Sequence, residues 1–122
     1  MPAAGEIGLR PATGADAPDV AVIWHSGWRD GHEGHVPDEL VSARTGASFR
    51  SRAFERVADT TVATVDGALA GFVMVVDDEV EQVYVAKTYR GTGVAAALLA
   101  RAEEPAHRYD KRLTRNAGDA GR

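Results

Sequence analysis

The segment EIGLR, Glu6 to Arg10, alternates apolar and polar positions and is closed by Pro11, which predicts a first strand. The period then changes. After Thr13-Gly14, Asp16 is placed to cap a helix with Pro18 in its first turn, and Val20, Ile23, Trp24 and Trp28 recur at helical spacing. Gly31 and Gly34 break that pattern, so Gly31 to Pro37 reads as a polar loop carrying His32, Glu33 and His35. Between Asp38 and Ala58, Leu40, Val41, Phe49, Phe54 and Val57 predict one or two helical pieces, interrupted at Thr45-Gly46-Ala47-Ser48.

Thr60 to Val65 and Ala68 to Val76 are β-branched runs joined by Asp66-Gly67, a dipeptide suited to the positive φ angles of a tight hairpin turn. The second run, ALAGFVMVV, is apolar at nearly every position, which predicts a strand covered on both faces by helices. Asp77-Asp78 turns the chain into VEQVYVA, Val80 to Ala86, completing an antiparallel meander. Lys87 to Gly93, KTYRGTG, then feeds a helix whose apolar face is Val94, Ala95, Leu98, Leu99 and Ala102 and whose end falls near Pro105. Residues 105–122 have no apolar period and read as an irregular polar tail to a domain spanning 1–104. No internal repeat is visible.

Composition narrows the classes. A chain of 122 residues, 44% hydrophobic and 26% charged, suits one soluble domain. Its net charge of −4 argues against a nucleic-acid partner, which needs a basic face to displace counterions from phosphates. Without cysteine, disulfides, thiolate metal sites and cysteine nucleophiles are excluded as well. No apolar run is long enough for a membrane span and MPAAGEIGLR lacks the pattern of a leader, so the expected location is the cytoplasm, away from membranes. His32, Glu33 and His35 do not form the helical His-Glu-x-x-His pattern, and no metal is expected. Trp24 and Trp28 are expected in the core.

The chemistry concentrates after the last predicted strand. A strand entering a glycine turn and then a helix presents successive unpaired N–H groups and the positive end of a helix dipole, a natural cradle for phosphate. Gly91 and Gly93 let ligand oxygens approach the main chain, and Arg90 is placed to add charge-assisted bonds. A Walker loop would need Lys then Ser or Thr after the second glycine, where Val94 and Ala95 stand. A dinucleotide-binding unit would need a further strand with an acidic end after the helix, and the tail offers none.

The segment VYVAKTYRGTGVAAALL, Val83 to Leu99, resembles motif A of the GCN5-related N-acetyltransferase (GNAT) superfamily. The family pattern of Gln or Arg, two residues, Gly, one residue, Gly or Ala falls on Arg90, Gly93 and Ala95, and IGLRPATGADAPDV resembles the family's first strand and helix, so the likeness runs over residues 6–104. It implies an α/β fold, a mixed sheet with helices on both faces and acetyl-coenzyme A beside the fourth strand. Cosubstrate contacts would fall on Val83, Tyr84 and Val85 and on the turn Arg90, Gly91, Thr92, Gly93, Val94 and Ala95. The implied reaction is acetyl transfer to a primary amine of a small molecule or peptide. Strand parity puts Glu79 and Glu81 on the side of Val83 and Val85, which makes Glu81, then Glu79, the candidate base. Glu33 and His35 fall where the family lines its acceptor site.

Three features depart from the family. Its fifth strand, further helix and closing hairpin are not expected after Pro105, where the only large aliphatic is Leu113. The Tyr that protonates the departing thiolate has no matching position, Tyr109 being unmatched, and Lys87 replaces a common Pro. Without a fifth strand the fourth has an open edge, which a second copy of the chain could cover. A shortened relative that binds the coenzyme or a protein without turnover is therefore the alternative to an active acetyltransferase.

Overall fold

The two hairpin turns set the sheet. Asp66 and Gly67 both take positive φ, 51° and 83°, and so do Asp77 and Asp78, 51° and 69°. Paired positive angles match the right-handed twist of the flanking strands, and Asp tolerates the left-handed region better than most residues. The computed structural model describes residues 6–32 and 45–104. In it, β1 (Ile7–Pro11), β2 (Thr60–Val65), β3 (Ala68–Val76) and β4 (Glu79–Val85) lie in that order in one sheet, each antiparallel to its neighbour. The described part of the sheet is thus the antiparallel meander of β2 to β4 that the sequence predicts, with β1 added beside β2.

Pro11 lies inside β1, paired with Thr61, rather than ending it. It is tolerated there because β1 is an outer strand of the sheet among the described residues, and the Pro11 nitrogen faces away from β2, so its missing N–H costs no bond in that ladder. The chain then passes a short 3-10 turn, Gly14–Asp16, into α1 (Ala17–His32). Asp16 fastens this connection: its carboxylate accepts from the Thr13 amide at 2.8 Å and from Nη1 and Nη2 of Arg10, at 2.7 and 2.9 Å. These bonds, the Arg10 pair first, hold the Asp16 carboxyl at about 2, well below the usual carboxylate range.

Two expectations about the helices change. The first helix does not stop at Gly31 but runs through Gly27 and Gly31 to His32. Gly27 is buried, and a Cβ there would lie 2.2 Å from Cδ1 of Tyr84, so the glycine lets α1 settle on the ring of a β4 side chain. The second change concerns Thr45-Gly46-Ala47-Ser48, which begins a helix rather than interrupting one. Thr45 Oγ1 accepts from the Ser48 amide at 3.1 Å and caps α2 (Gly46–Glu55).

Helices cover both faces of β3, as its apolar run predicts. On one face Val20, Ala21 and Trp24 of α1 and Phe49 and Ala53 of α2 pack against Val62, Phe72 and Met74. Trp24 meets Phe49 edge-on at 5.4 Å, and Trp28 is half-buried 6.1 Å from the same ring. On the other face Val94, Leu98 and Ala102 of α3 (Val94–Glu103) pack against Ala63, Val65, Val73 and Val75. Gly71 of β3 permits that approach, since a Cβ would lie 3.1 Å from Val94 Cγ1 and 2.9 Å from the Tyr84 carbonyl oxygen. The expected helical apolar residue Phe54 instead points outward and is 65% exposed. None of the helices among the described residues is long and apolar enough to cross a membrane.

Candidate functional site

β4 is the outer strand of the sheet among the described residues. Across the β3–β4 ladder the Ala86 amide donates to the Ala70 carbonyl at 2.8 Å. Stepping back by two, Tyr84 and Gln82 also turn their main-chain groups toward β3, which leaves those of Val83 and Val85 at the open edge. Of the three positions expected to serve a ligand through the main chain, Val83 and Val85 present their groups outward. Tyr84 does not: its main chain belongs to the ladder and its ring to the α1 face, 6.0 Å from Phe72. Burial pushes the Tyr84 phenol above its ordinary range, against the lowering effect of the Arg52 charge. Arg52 itself lies over the Trp24 ring, 4.4 Å from its centre.

The parity argument for the two glutamates fails. Met74 pairs with Gln82 but Val75 pairs with Val80, so β4 carries one extra residue, Glu81, in a β-bulge. The alternation breaks there. Glu79 pairs with Val76 at the start of the strand and falls on the opposite face from Val83, which pairs with Val73 above α3. Glu81, freed from the ladder, reaches the C-terminal end of α2, where its Oε1 lies 3.0 Å from Nη2 of Arg56. The Arg56 main chain is itself fixed, because its carbonyl accepts from the Thr60 hydroxyl at 2.6 Å and from the Asp59 amide at 2.9 Å. Sequence reasoning did not single out Arg56. A register slip leaves no local mark in VEQVYVA.

Beyond Val85, a 3-10 turn (Lys87–Tyr89) leads to Arg90 in extended conformation, then Gly91 at φ 81° and Gly93 at φ 92°. Gly93 is the residue before the first turn of α3. Both glycines are required by these angles, and a Cβ at either would meet nothing within 4 Å, so the space above the turn is open. The first helical bond of α3 is from Ala97 to the Gly93 carbonyl, at 3.0 Å. Among the described residues, the amides of Gly91, Thr92, Gly93, Val94 and Ala95 have no backbone acceptor. Five donors at the start of α3 are therefore left without a main-chain partner at the positive end of a helix dipole. Thr92 Oγ1 donates to the Tyr89 carbonyl and stiffens the turn from within.

Arg90 makes two contacts within the protein. Its Nε donates to the Val85 carbonyl at 3.3 Å and its Nη1 lies 3.0 Å from Asp30 Oδ2 in the last part of α1. Asp30 had no role in the sequence reading, because the pair joins residues that only tertiary packing brings together. Glu33 and His35, the expected acceptor contacts, lie outside the described residues, as does the side chain of His32. Among the described residues no group of three or more His, Asp or Glu side chains could hold a metal ion.

An antiparallel sheet whose outer described strand leads through a glycine turn into a helix without a side-chain cap is the α/β arrangement that the resemblance to the acetyltransferase family implies. Comparison makes this specific: the family model described as an acetyltransferase (GNAT) domain matches residues 33–120, and the chain belongs to that family. Among solved structures it resembles the PaiA N-acetyltransferase of Thermoplasma acidophilum in complex with coenzyme A, at TM-score 0.67 and 16% identity over 80% of this chain and 70% of that one. It also resembles a ribosomal-protein-alanine N-acetyltransferase of Brucella melitensis biovar Abortus 2308, at TM-score 0.53 and 26% identity over 80% and 68% of the two chains. A third likeness is to yncA of Salmonella typhimurium with its cofactor acetyl-CoA, at TM-score 0.58 and 21% identity over 80% and 61%. No curated protein sequence matches the chain.

Proposed function

We propose that the protein transfers acetyl from acetyl-coenzyme A to a primary amine. The observation that carries this reading is the set of amides from Gly91 to Ala95 without a main-chain acceptor, in an open turn a few residues beyond the outward main-chain groups of Val83 and Val85. A diphosphate suits the first and a pantetheine arm, extended like a strand, suits the second. With both ends held, the thioester lies along β4, and an outward N–H there polarises its carbonyl. The amine nitrogen attacks the carbonyl carbon, a C–N bond forms and the C–S bond breaks. The ammonium proton passes to Glu81, directly or through water, and the thiolate leaves to be protonated as coenzyme A. Glu81 suits the role better than Glu79, since the bulge projects it from the ladder and Arg56 holds its carboxylate. Alignment of the reactants supplies most of the acceleration, on the order of 7–11 kcal/mol at best.

The test is calorimetric titration with acetyl-coenzyme A together with thiol release across a panel of amines, small and peptidic. Gly93→Val should weaken coenzyme binding at least about tenfold with the circular dichroism spectrum retained, because a β-branched residue at φ 92° re-aims the amides. Unchanged affinity refutes the cradle. Binding without thiol release from any amine would leave a coenzyme-binding module in place of an enzyme. A second copy pairing along β4 would use the same edge groups as the pantetheine arm, so sedimentation should show such a dimer dissociating as coenzyme A is added.

A further inference from the structure

We infer that Arg90 is a positioning residue, latched by Asp30 of α1, that orients the amide cradle without itself contacting the diphosphate. The inference rests on the functional reading above for what the cradle binds, but the latch is defined by contacts within the protein.

The Thr92 hydroxyl on the Tyr89 carbonyl braces the middle of the turn, but its two glycines are not packed against anything. Gly91 and Gly93 flank Thr92, both in the left-handed region, and nothing packs over either glycine. A segment with two such glycines samples many backbone states unless something outside it selects one. Arg90, immediately before Gly91, makes that selection. Its Nε is bonded to the last carbonyl of β4 and its Nη1 to a carboxylate on α1. One planar guanidinium thus ties the entrance of the turn to two elements that are themselves fixed, since α1 and β4 are locked together by Gly27 and Tyr84.

The electrostatics point the same way. With Asp30 at 3.0 Å, most of the Arg90 charge is cancelled locally, so an approaching anion meets the helix dipole and the amides more than a free cation. The contact with Val85 also removes one acceptor from the open edge, so the outward groups left for a ligand are both those of Val83 and the amide of Val85. Arg90 and Asp30 are 40% and 45% exposed, so their pairing is worth a surface salt bridge and no more.

The experiment compares wild type, Arg90→Gln, Asp30→Asn and the double variant, measuring coenzyme A affinity by calorimetry and backbone order at Gly91 and Gly93 by nitrogen-15 relaxation without ligand. Each single variant should weaken binding about fivefold, and the double should be no weaker than either single. Order parameters at the two glycines should fall toward about 0.6 in all three variants while the rest of the chain keeps its values. Arg90→Lys, which keeps the charge for Asp30, should recover part of the affinity. If Asp30→Asn binds as tightly as wild type or more tightly while Arg90→Gln binds weakly, Arg90 touches the ligand and the latch is wrong. Should wild type not bind coenzyme A, the functional reading falls. The relaxation data then decide the latch alone: unchanged order in the variants overturns it, and lost order upholds it.

Discussion

Replacing Gly27 by Ala is the sharpest test of how α1 sits on the sheet, because sequence and structure predict opposite signs. In an isolated helix the exchange would stabilise by about 1 kcal/mol, Gly being a poor helix former. In the fold the new Cβ would lie 2.2 Å from Tyr84 Cδ1, 2.8 Å from Cε1 and 3.1 Å from Cγ, where carbons normally rest roughly 3.5–4.0 Å apart. The ring cannot simply swing aside, since it lies against Phe72 and its main chain is held in the β3–β4 ladder. Overpacking of this kind costs about 1–3 kcal/mol, and an approach as close as 2.2 Å puts this site in the upper part of that range, about 2–3 kcal/mol. Offset by the propensity gain, the net loss should be about 1–2 kcal/mol, seen as a fall in melting temperature of roughly 4–12 °C. Urea unfolding of Gly27→Ala, Tyr84→Ala and the double variant provides the control. With the ring removed, the same substitution should become stabilising by about 1 kcal/mol, giving a coupling energy of about 2 kcal/mol or more. A stabilised Gly27→Ala single variant, or an equal effect in both backgrounds, would falsify the proposed seating of α1 on Tyr84.

Three further outcomes can be checked. Asp16, with a carboxyl held at about 2 against an ordinary 3.8, contributes stability that is complete above about pH 4 and is lost as pH falls toward 2. The contribution is roughly 2 kcal/mol before screening and closer to 1 given that Arg10 is 47% exposed, so the urea midpoints of wild type and Asp16→Asn should converge at acid pH. Thr45→Ala removes the cap of α2 and should cost about 1 kcal/mol in the same assay, whereas a neutral result would mean that the helix begins elsewhere. Glu81→Gln should lower the thiol-release rate about 10²-fold or more with coenzyme A affinity unchanged, while Glu79→Gln leaves both near wild type; equal effects would return the base to open question.

Most of the strands and the final helix were legible because their signals are local. Asp66-Gly67 suits the positive φ of a tight hairpin turn and Asp77-Asp78 marks a second turn, and a nine-residue apolar run such as ALAGFVMVV can only be a strand with two covered faces or a buried helix. The glycine turn RGTG was readable for the same reason: its chemistry comes from its own backbone. The start of α2 was misread although its cap was present in the sequence, since Thr-Gly-Ala-Ser carries turn propensity and capping propensity at once, and only the bond from Ser48 to Thr45 chooses between them.

Tertiary structure decided what lies between elements. Sequence alone set the period of β4, but its register against β3 set the bulge, and the bulge determines which glutamate leaves the ladder and meets Arg56. Gly27 reads as a weak point in a helix until the Tyr84 ring fills the space above it. Arg90 reads as an unpaired cation beside the glycine turn until Asp30, sixty residues earlier in the chain, arrives beside it. The physical reason is the same in each case. Propensity and turn chemistry depend on neighbours within a few residues and are written into the chain, whereas pairing register, close packing and ion pairs depend on distances that exist only once distant segments have met.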